Sequence, residues 1–239
     1  MNTFGTIFRV SIFGESHGRW VGVTIDGCPP GIPLSPTDLL PDLERRKPGA
    51  SGTTPRIEED LPEFVSGVHY GVSTGAPLTI VFENKNTRSA DYAALQNVPR
   101  PGHADFVIHE KFSGHNDPRG GGHTSGRLTV ALVAAGVVAK KVLKDIEVSA
   151  RLIEAGGNTD IEAAIAMAVE QQDSIGGIVS CTVTGLPVGL GEPFFNSVES
   201  VISHAVFSVP AIKGIEFGSG FGAARMTGSI HNDAIVDEK

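Results

Sequence analysis

The chain has 239 residues, which is long enough for one well-buried domain or two small ones. Its formal net charge at pH 7 is −8, which argues against a general binder of nucleic acids or anionic membranes, because such proteins are usually basic. The two cysteines form no CxxC pair, so the composition predicts neither a disulfide framework nor a cysteine zinc site.

The first third of the chain predicts four strands. Residues 6–13 and 21–26 alternate apolar and polar side chains as half-buried strands do. Residues 64–70 and 78–83 predict two further strands, separated by a turn that contains glycine. The first ten residues, MNTFGTIFRV, lack a basic segment followed by an apolar core, so no signal peptide is predicted.

A short helix is predicted between the second and third strands. Ser35 has the position of an N-cap, with Pro36 at the first helical position and Asp38 near the positive end of the helix. Pro41 lies inside this helix and is able to kink it. The helix is expected to end in the basic run of residues 45–47.

The middle of the chain combines a polar stretch with an apolar helix. Residues 84–124 are rich in Gly, His and Arg, and so long an irregular stretch is usually either functional or disordered. Residues 125–144 predict a helix of about six turns. Its apolar centre, 130–139, predicts a helix buried on all sides between layers, and it is too short to span a bilayer. We therefore expect a cytoplasmic protein.

The last third predicts a further mixture of strands and helices. Residues 146–152 and 179–183 alternate as strands. Thr159 and Glu162 have capping-box spacing, which predicts the start of a helix. Residues 198–206 carry an amphipathic helical stripe.

Two sequence motifs centre on a histidine in a turn that contains glycine. His17 lies in Gly14–Gly18 directly after the first strand, and His103 lies in Arg100–Asp105, where Asp105 is close enough in sequence to orient an imidazole nitrogen. Imidazole groups suit proton transfer because they titrate near neutral pH. On these residues alone, an ordinary loop histidine is the better interpretation of His17. For His103, the choice between a functional imidazole and a solvated turn histidine stays open.

Two other motifs supply groups that bind anions. Arg45, Arg46, Lys47 and Arg56 offer side chains that bind phosphate, although cations at a helix C-terminus are equally explained by the helix dipole. The glycines of 119–125 offer bare backbone amides at the start of a helix, which is typical of anion sites. Neither P-loop spacing nor a strand-GxGxxG context is present, so nucleoside triphosphate and dinucleotide sites are not predicted.

A metal site is the main alternative for the polar stretch. Four of the eight histidines lie there: His103, His109, His115 and His123. Their spacing fits no compact zinc or two-histidine-one-carboxylate signature. A metal-dependent hydrolase is therefore a weaker hypothesis than an anion or cofactor site.

Taken together and in this order, the motifs resemble those of the chorismate synthase family. The matching segments span nearly the whole chain and are 8–18, 26–33, 43–49, 100–105, 119–127, 173–176, 185–193 and 211–222. The resemblance implies an α+β fold, a layered β-α-β sandwich with helices between antiparallel sheets. It also implies a single domain over 1–239 that lacks the family's C-terminal segment.

The resemblance implies a reaction as well. Chorismate synthases convert 5-enolpyruvylshikimate-3-phosphate to chorismate by an anti 1,4-elimination of phosphate in the shikimate pathway of aromatic amino-acid biosynthesis. The reaction requires reduced FMN and has no net redox change. The family enzyme is usually a homotetramer, and some members reduce their own flavin with NADPH. No reductase domain is evident here, so we expect the flavin to be reduced elsewhere.

The matching positions carry implied roles. His17 matches the acid toward the departing phosphate, and His103 matches the partner of the N1/C2 carbonyl edge of the reduced flavin. The positions implied to bind substrate are Ser16, Arg45, Arg46 and Arg127. The positions implied to contact flavin are His123, Thr124, Ser125, Pro210 and Ala211.

Two departures from the family pattern matter. His123 stands where the family more commonly has arginine, which suggests that ligand affinity here changes between about pH 6 and 8. The family's C-terminal flavin-contacting segments have no counterpart in this sequence. An alternative hypothesis is therefore a chain that binds anionic ligands without turnover.

Overall fold

The computed structural model of the chain describes residues 2–53, 58–87 and 98–235. The chain divides into two compact units, Met1–Leu186 and Pro187–Lys239. Helices and antiparallel sheets occur together, which confirms the predicted α+β class. Within the described ranges, no helix has both the length and the apolar character that crossing a membrane requires.

A five-stranded antiparallel sheet forms the centre of the first unit. The first seven strands of the chain are β1 (Thr3–Phe4), β2 (Arg9–Gly14), β3 (Trp20–Asp26), β4 (Pro62–Ser66), β5 (Val68–His69), β6 (Val72–Ser73) and β7 (Leu78–Glu83). The sheet order is β1-β2-β3-β7-β4, while β5 and β6 form a separate hairpin. The predicted strand 64–70 is therefore broken. The break is at Gly67, where φ is +82° and a β-carbon would lie 2.5 Å from the Leu78 Cα.

Helix α1 (Pro36–Arg46) confirms the predicted capped helix. The Ser35 backbone N–H donates a hydrogen bond to Asp38 Oδ2 at 2.7 Å, which satisfies one of the donors at the helix start. The helix continues through Pro41 to Arg46, so the proline does not end it.

The stretch 84–124 is less irregular than expected. It contains helix α2 (Asp105–Lys111) and a 3₁₀ turn at Gly122–Thr124. None of the α2 residues is buried, so this helix carries no apolar stripe from which periodicity would predict it. Residues 88–97 lie outside the described ranges.

Helix α3 (Thr129–Val142) begins four residues later than predicted. Ser125 is extended, with φ −64° and ψ 142°, and its hydroxyl accepts the Arg127 backbone N–H at 3.2 Å, which starts a 3₁₀ turn instead. The expected burial is confirmed, because every residue from 130 to 139 is buried or half-buried. The helix packs on α1 and β3, and the fully buried side chains of this core include Val21, Val23, Ile25, Leu34, Leu39, Leu43, Leu78, Ile80, Phe82, Val130, Ala131, Ala134 and Val138.

The remaining elements follow the predicted order. Strands β8 (Glu147–Ala155) and β9 (Gly177–Thr184) pair antiparallel, with helix α4 (Ile161–Glu170) between them in the chain. The predicted capping box at Thr159 and Glu162 is wrong: Asp160 is the N-cap, and its carboxylate accepts the Ala163 N–H at 3.2 Å. The second unit contains helix α5 (Val198–Val206) and a 3₁₀ segment at Gly220–Arg225.

Candidate active site

The loop after β2 and the glycine run before α3 pack directly against each other. The Ser16 backbone N–H donates to the Gly122 carbonyl at 3.0 Å, and the Ser16 hydroxyl donates to the Arg119 carbonyl at 3.4 Å. Ser16 and His17 are 0% and 7% exposed. His17 is therefore a buried loop histidine, and its role as an acid stays a prediction.

Gly120 explains why this contact requires glycine. Its φ is +72°, and a β-carbon there would lie 2.5 Å from Ser16 Oγ and 2.9 Å from His17 Nε2. Both distances are shorter than van der Waals contact, so a side chain at this position would displace the hydroxyl, the imidazole or the backbone. The glycine run thus allows the backbone to approach His17 rather than capping α3 directly.

The turn that holds His103 is attached to the same glycine. Arg100 Nη2 donates to the Gly120 carbonyl at 2.6 Å, and the His103 backbone N–H donates to the Arg100 carbonyl at 3.3 Å. Arg100 also forms two hydrogen bonds of 2.8 Å with the Asp105 carboxylate. These bonds lower the pKa of Asp105 to about 2. The Asp105 carboxylate is therefore held by Arg100, and the idea that it orients the His103 imidazole stays a prediction.

A buried cluster of two arginines and one aspartate lies behind these loops. The Asp60 side chain, 1% exposed, pairs with Arg46 at 3.1 Å and with Arg127. Arg46 also donates to Thr129 Oγ1 at 3.1 Å and to the Gly126 carbonyl at 3.3 Å. One carboxylate faces two guanidinium groups, so these three side chains together carry a net positive charge.

Arg127 has one nitrogen that the described residues do not satisfy. Its Nη2 is buried and has no hydrogen-bond partner within 2–53, 58–87 and 98–235. A buried N–H without an acceptor is costly, so this nitrogen indicates that the cluster requires a further acceptor, such as an anion or an ordered water molecule.

Arg45 stands apart from this cluster. The Arg45 side chain is 71% exposed and pairs with Asp42, three residues earlier on α1, at 3.5 Å. Arg56 lies outside the described residues. Of the predicted arginines, the structure therefore brings Arg46 and Arg127 together.

Asn84 connects the arginine cluster to the His17 loop. Its amide nitrogen donates to the carbonyls of Glu15 and Gly18 at 3.1 and 2.7 Å, and its amide oxygen accepts from Arg127 Nε at 2.9 Å. Sequence reasoning identified neither Asn84 nor Asp60. The available signal for Asn84 was a polar side chain directly after a predicted strand.

A cavity of about 1160 Å³ lies beside these loops. Its lining includes Glu15, Arg100, His123 and Thr124, whereas Ser125 caps the 3₁₀ turn next to it. His123 Nδ1 is 2.7 Å from the Gly14 carbonyl. Because a carbonyl oxygen only accepts, Nδ1 carries the proton and Nε2 is left for another partner.

The second unit contains the remaining two predicted residues. Pro210 and Ala211 follow helix α5, and Ala211 has a φ of +71°, which is uncommon for a residue with a side chain. Their predicted contact with flavin stays a prediction.

The metal alternative gains no support from the geometry. Within the described part of the chain, no group of three or more His, Cys, Asp or Glu side chains is arranged to hold a metal ion. The four histidines of the polar stretch therefore do not form a metal centre among these residues.

Comparison with known proteins identifies the family of the chain. The family model described as chorismate synthase matches residues 8–239. The chain belongs to the chorismate synthase family. The resemblance drawn from the motifs is thus confirmed, and the protein is a lyase.

Individual members of the family cover almost the whole chain. The chorismate synthase of Chitinophaga pinensis is 65% identical over 238 residues, covering 99% of this chain and 72% of the relative. The Syntrophobacter fumaroxidans enzyme is 45% identical over 99% of this chain and 74% of its own length. A crystal structure titled as chorismate synthase matches with a TM-score of 0.76 and 25% identity, over 96% of this chain and 73% of that one.

Proposed function

We propose that this chain eliminates phosphate from 5-enolpyruvylshikimate-3-phosphate to form chorismate, using reduced FMN. The observation that carries the proposal is the convergence of three motifs on one glycine. Gly120 lies against His17, accepts a hydrogen bond from the turn that holds His103, and belongs to the loop that leads to Arg127. An acid, a second imidazole and buried cations are the groups that this elimination requires.

His17 is the proposed acid toward the leaving phosphate. His17 is only 7% exposed. Its burial against the glycine run limits competing proton exchange with bulk water. Ser16 is the proposed hydrogen-bonding partner of the substrate beside it. When the carbon–oxygen bond to phosphate breaks, a proton from the imidazole reduces the charge that builds up on the departing group.

Arg46 and Arg127 are the proposed anion-binding groups. Guanidinium groups bind phosphate and carboxylate with paired, charge-assisted hydrogen bonds. The unsatisfied Nη2 of Arg127 supports this role, because a ligand oxygen would supply its missing acceptor. Arg45, which is exposed, is the weakest candidate among the three arginines predicted to bind substrate.

The cavity is the proposed flavin site, although His17, His103, Arg46 and Arg127 are not among its lining residues. At about 1160 Å³ it exceeds the size of most small-molecule sites. Phe13, Phe106 and Phe112 line it and offer apolar surface to a planar ring, and the buried Asn116 Oδ1 has no donor among the described residues. His123 and Thr124 are proposed to contact the cofactor there. Reduced FMN would transiently supply electron density that helps phosphate to leave.

His103 is proposed to stabilise the reduced flavin. A cation near the N1/C2 carbonyl edge would favour an anionic reduced ring. The Arg100 and Asp105 side chains of the same turn line the cavity, and Arg100 holds the turn against Gly120. The turn is therefore rigidly connected to the loop that contacts His17.

The assay that tests the proposal is anaerobic phosphate release from the enolpyruvyl substrate. We expect release with reduced FMN and none without it, and chorismate should form in equal amount. A chain that binds phosphate and flavin but releases no phosphate would contradict the proposal and support ligand binding without turnover.

On the resemblance alone we also propose a cytoplasmic homotetramer that takes flavin reduced elsewhere. Sedimentation velocity measures the oligomeric state and tests the tetramer. Phosphate release with NADPH in place of reduced FMN would contradict the proposal that the flavin is reduced elsewhere.

A further inference from the structure

The side chain of Asn84 uses its hydrogen-bonding groups to connect two parts of the site. Both donor bonds go to carbonyls of the His17 loop, Glu15 at 3.1 Å and Gly18 at 2.7 Å. The amide oxygen accepts from Arg127 Nε at 2.9 Å. The two carbonyls flank Ser16 and His17, so this one amide binds the loop on either side of the imidazole.

The orientation of this amide is determined by its partners. Carbonyl oxygens only accept hydrogen bonds, and a guanidinium group only donates them. Turning the amide over would place its oxygen against the carbonyl oxygens of Glu15 and Gly18, and its N–H groups against the Nε–H of Arg127. Three contacts would change from attractive to repulsive, so the amide has one stable orientation.

Backbone hydrogen bonds also fix the position of Asn84 itself. Its backbone N–H donates to the Arg19 carbonyl at 3.0 Å directly after β7, and the next residue's N–H donates to the buried Glu58 carboxylate at 3.1 Å. Arg127 is held in turn by Asp60. The His17 loop is therefore braced against a rigid strand end and a buried ion pair.

We infer that Asn84 is a positioning residue that fixes the His17 imidazole relative to the Arg127 guanidinium. This inference rests on the proposed function of His17. A displacement of about 1 Å in a proton donor is able to lower a rate about 100-fold, so a residue that touches neither substrate nor flavin still controls turnover.

The main test is Asn84→Asp, which preserves shape but places a carboxylate oxygen against the two loop carbonyls. We expect kcat for phosphate release to fall about 10- to 100-fold, and KM to rise as well, because the new carboxylate pairs with Arg127, a proposed substrate-binding group. In Asn84→Ala, which adds no charge, kcat should fall while KM changes less than about threefold. Asn158→Asp is the matched control: Asn158 lies in the turn after β8, and its side chain accepts the Asp160 N–H at 2.9 Å. It should leave kcat unchanged.

A double-mutant cycle separates positioning from general damage. If Asn84 acts through His17, Asn84→Asp should cost less than about threefold once His17→Ala is present. A full 10- to 100-fold loss in that background, or an unchanged kcat in the single variant, would overturn the inference. Asn84→Ala, which removes all three bonds without adding charge, gives the same test if the aspartate variant does not fold.

A second readout does not depend on turnover. The ¹⁵N resonance of the His17 imidazole, identified by its loss in His17→Ala, should change its pH titration in Asn84→Ala, which adds no charge near the imidazole, and stay the same in Asn158→Ala. An unchanged titration overturns the inference. If the wild-type chain releases no phosphate but the resonance responds, the proposed function fails while the positioning role stands.

Discussion

Helix α3 and the loops around His17 are both buried in the first unit, but different forces bury them. The α3 core contains apolar side chains from β3, β7 and α1, and their stability comes from the removal of apolar surface from water. The site instead buries Ser16, His17, Asp60 and Arg127, each of which loses hydration and must regain hydrogen bonds. The first kind of burial depends on shape and apolar area, whereas the second depends on every hydrogen-bonding partner being present.

The largest expected effect comes from removing the Asp60 carboxylate, which pairs with the buried Arg127 and the half-buried Arg46. Asp60→Asn should lower the free energy of unfolding by about 3–5 kcal/mol, because two guanidinium groups lose their common partner. Its neighbour provides the control: Glu59 pairs with Lys85 at the exposed surface, so Glu59→Gln should have almost no effect. Urea unfolding of the three proteins measures the difference. Equal stability of both variants would contradict the idea that the site depends on complete pairing.

The histidine variants come next. His17→Ala and His103→Ala should each lower the rate of phosphate release about 100-fold or more, the usual scale for acid–base groups. His69→Ala, in the separate β5–β6 hairpin, should keep the wild-type rate. Near-normal turnover in either of the first two variants would remove that residue from the mechanism.

Two glycines give a direct comparison of site and core. Gly120→Ala should lower kcat at least about 10-fold, because its β-carbon would meet Ser16 and His17 and φ is +72°. Gly136→Ala, in α3, meets no atom within 4 Å. It should raise the free energy of unfolding by about 0.5–1 kcal/mol through higher helix propensity. Steady-state kinetics and urea unfolding of both variants test the contrast.

The smallest expected effect is on the free energy of unfolding at acidic pH. The pKa of Asp105 is lowered from 3.8 to about 2, chiefly by hydrogen bonds from Arg100. A lowered pKa in the folded state gives stability that is present above the unfolded pKa and is lost as the pH falls toward 2. Urea unfolding between pH 5 and about 2 should therefore show a steeper loss in the wild type than in Asp105→Asn. The pair is partly exposed to solvent, so the difference should be small.

Local patterns predicted most elements but misplaced two of their starts. The start of α3 was wrong because Ser125 uses its hydroxyl to cap a 3₁₀ turn, a choice that helical periodicity does not report. The start of α4 was wrong because Asp160, rather than Thr159, supplies the capping oxygen. In both cases a short polar side chain competes for backbone N–H groups, and neighbouring positions of similar chemistry are hard to separate by sequence.

By itself, the sequence determined the buried character of residues 130–139, through their apolar run, and the family, through motifs within short segments. The α+β class followed from the resemblance to that family. Only the tertiary structure decided which polar groups meet. Asp60 pairs with an arginine 67 positions away, and Asn84 bonds carbonyls 66 and 69 positions away. Such bonds depend on where the fold brings distant loops together, and no local pattern of residues encodes that distance.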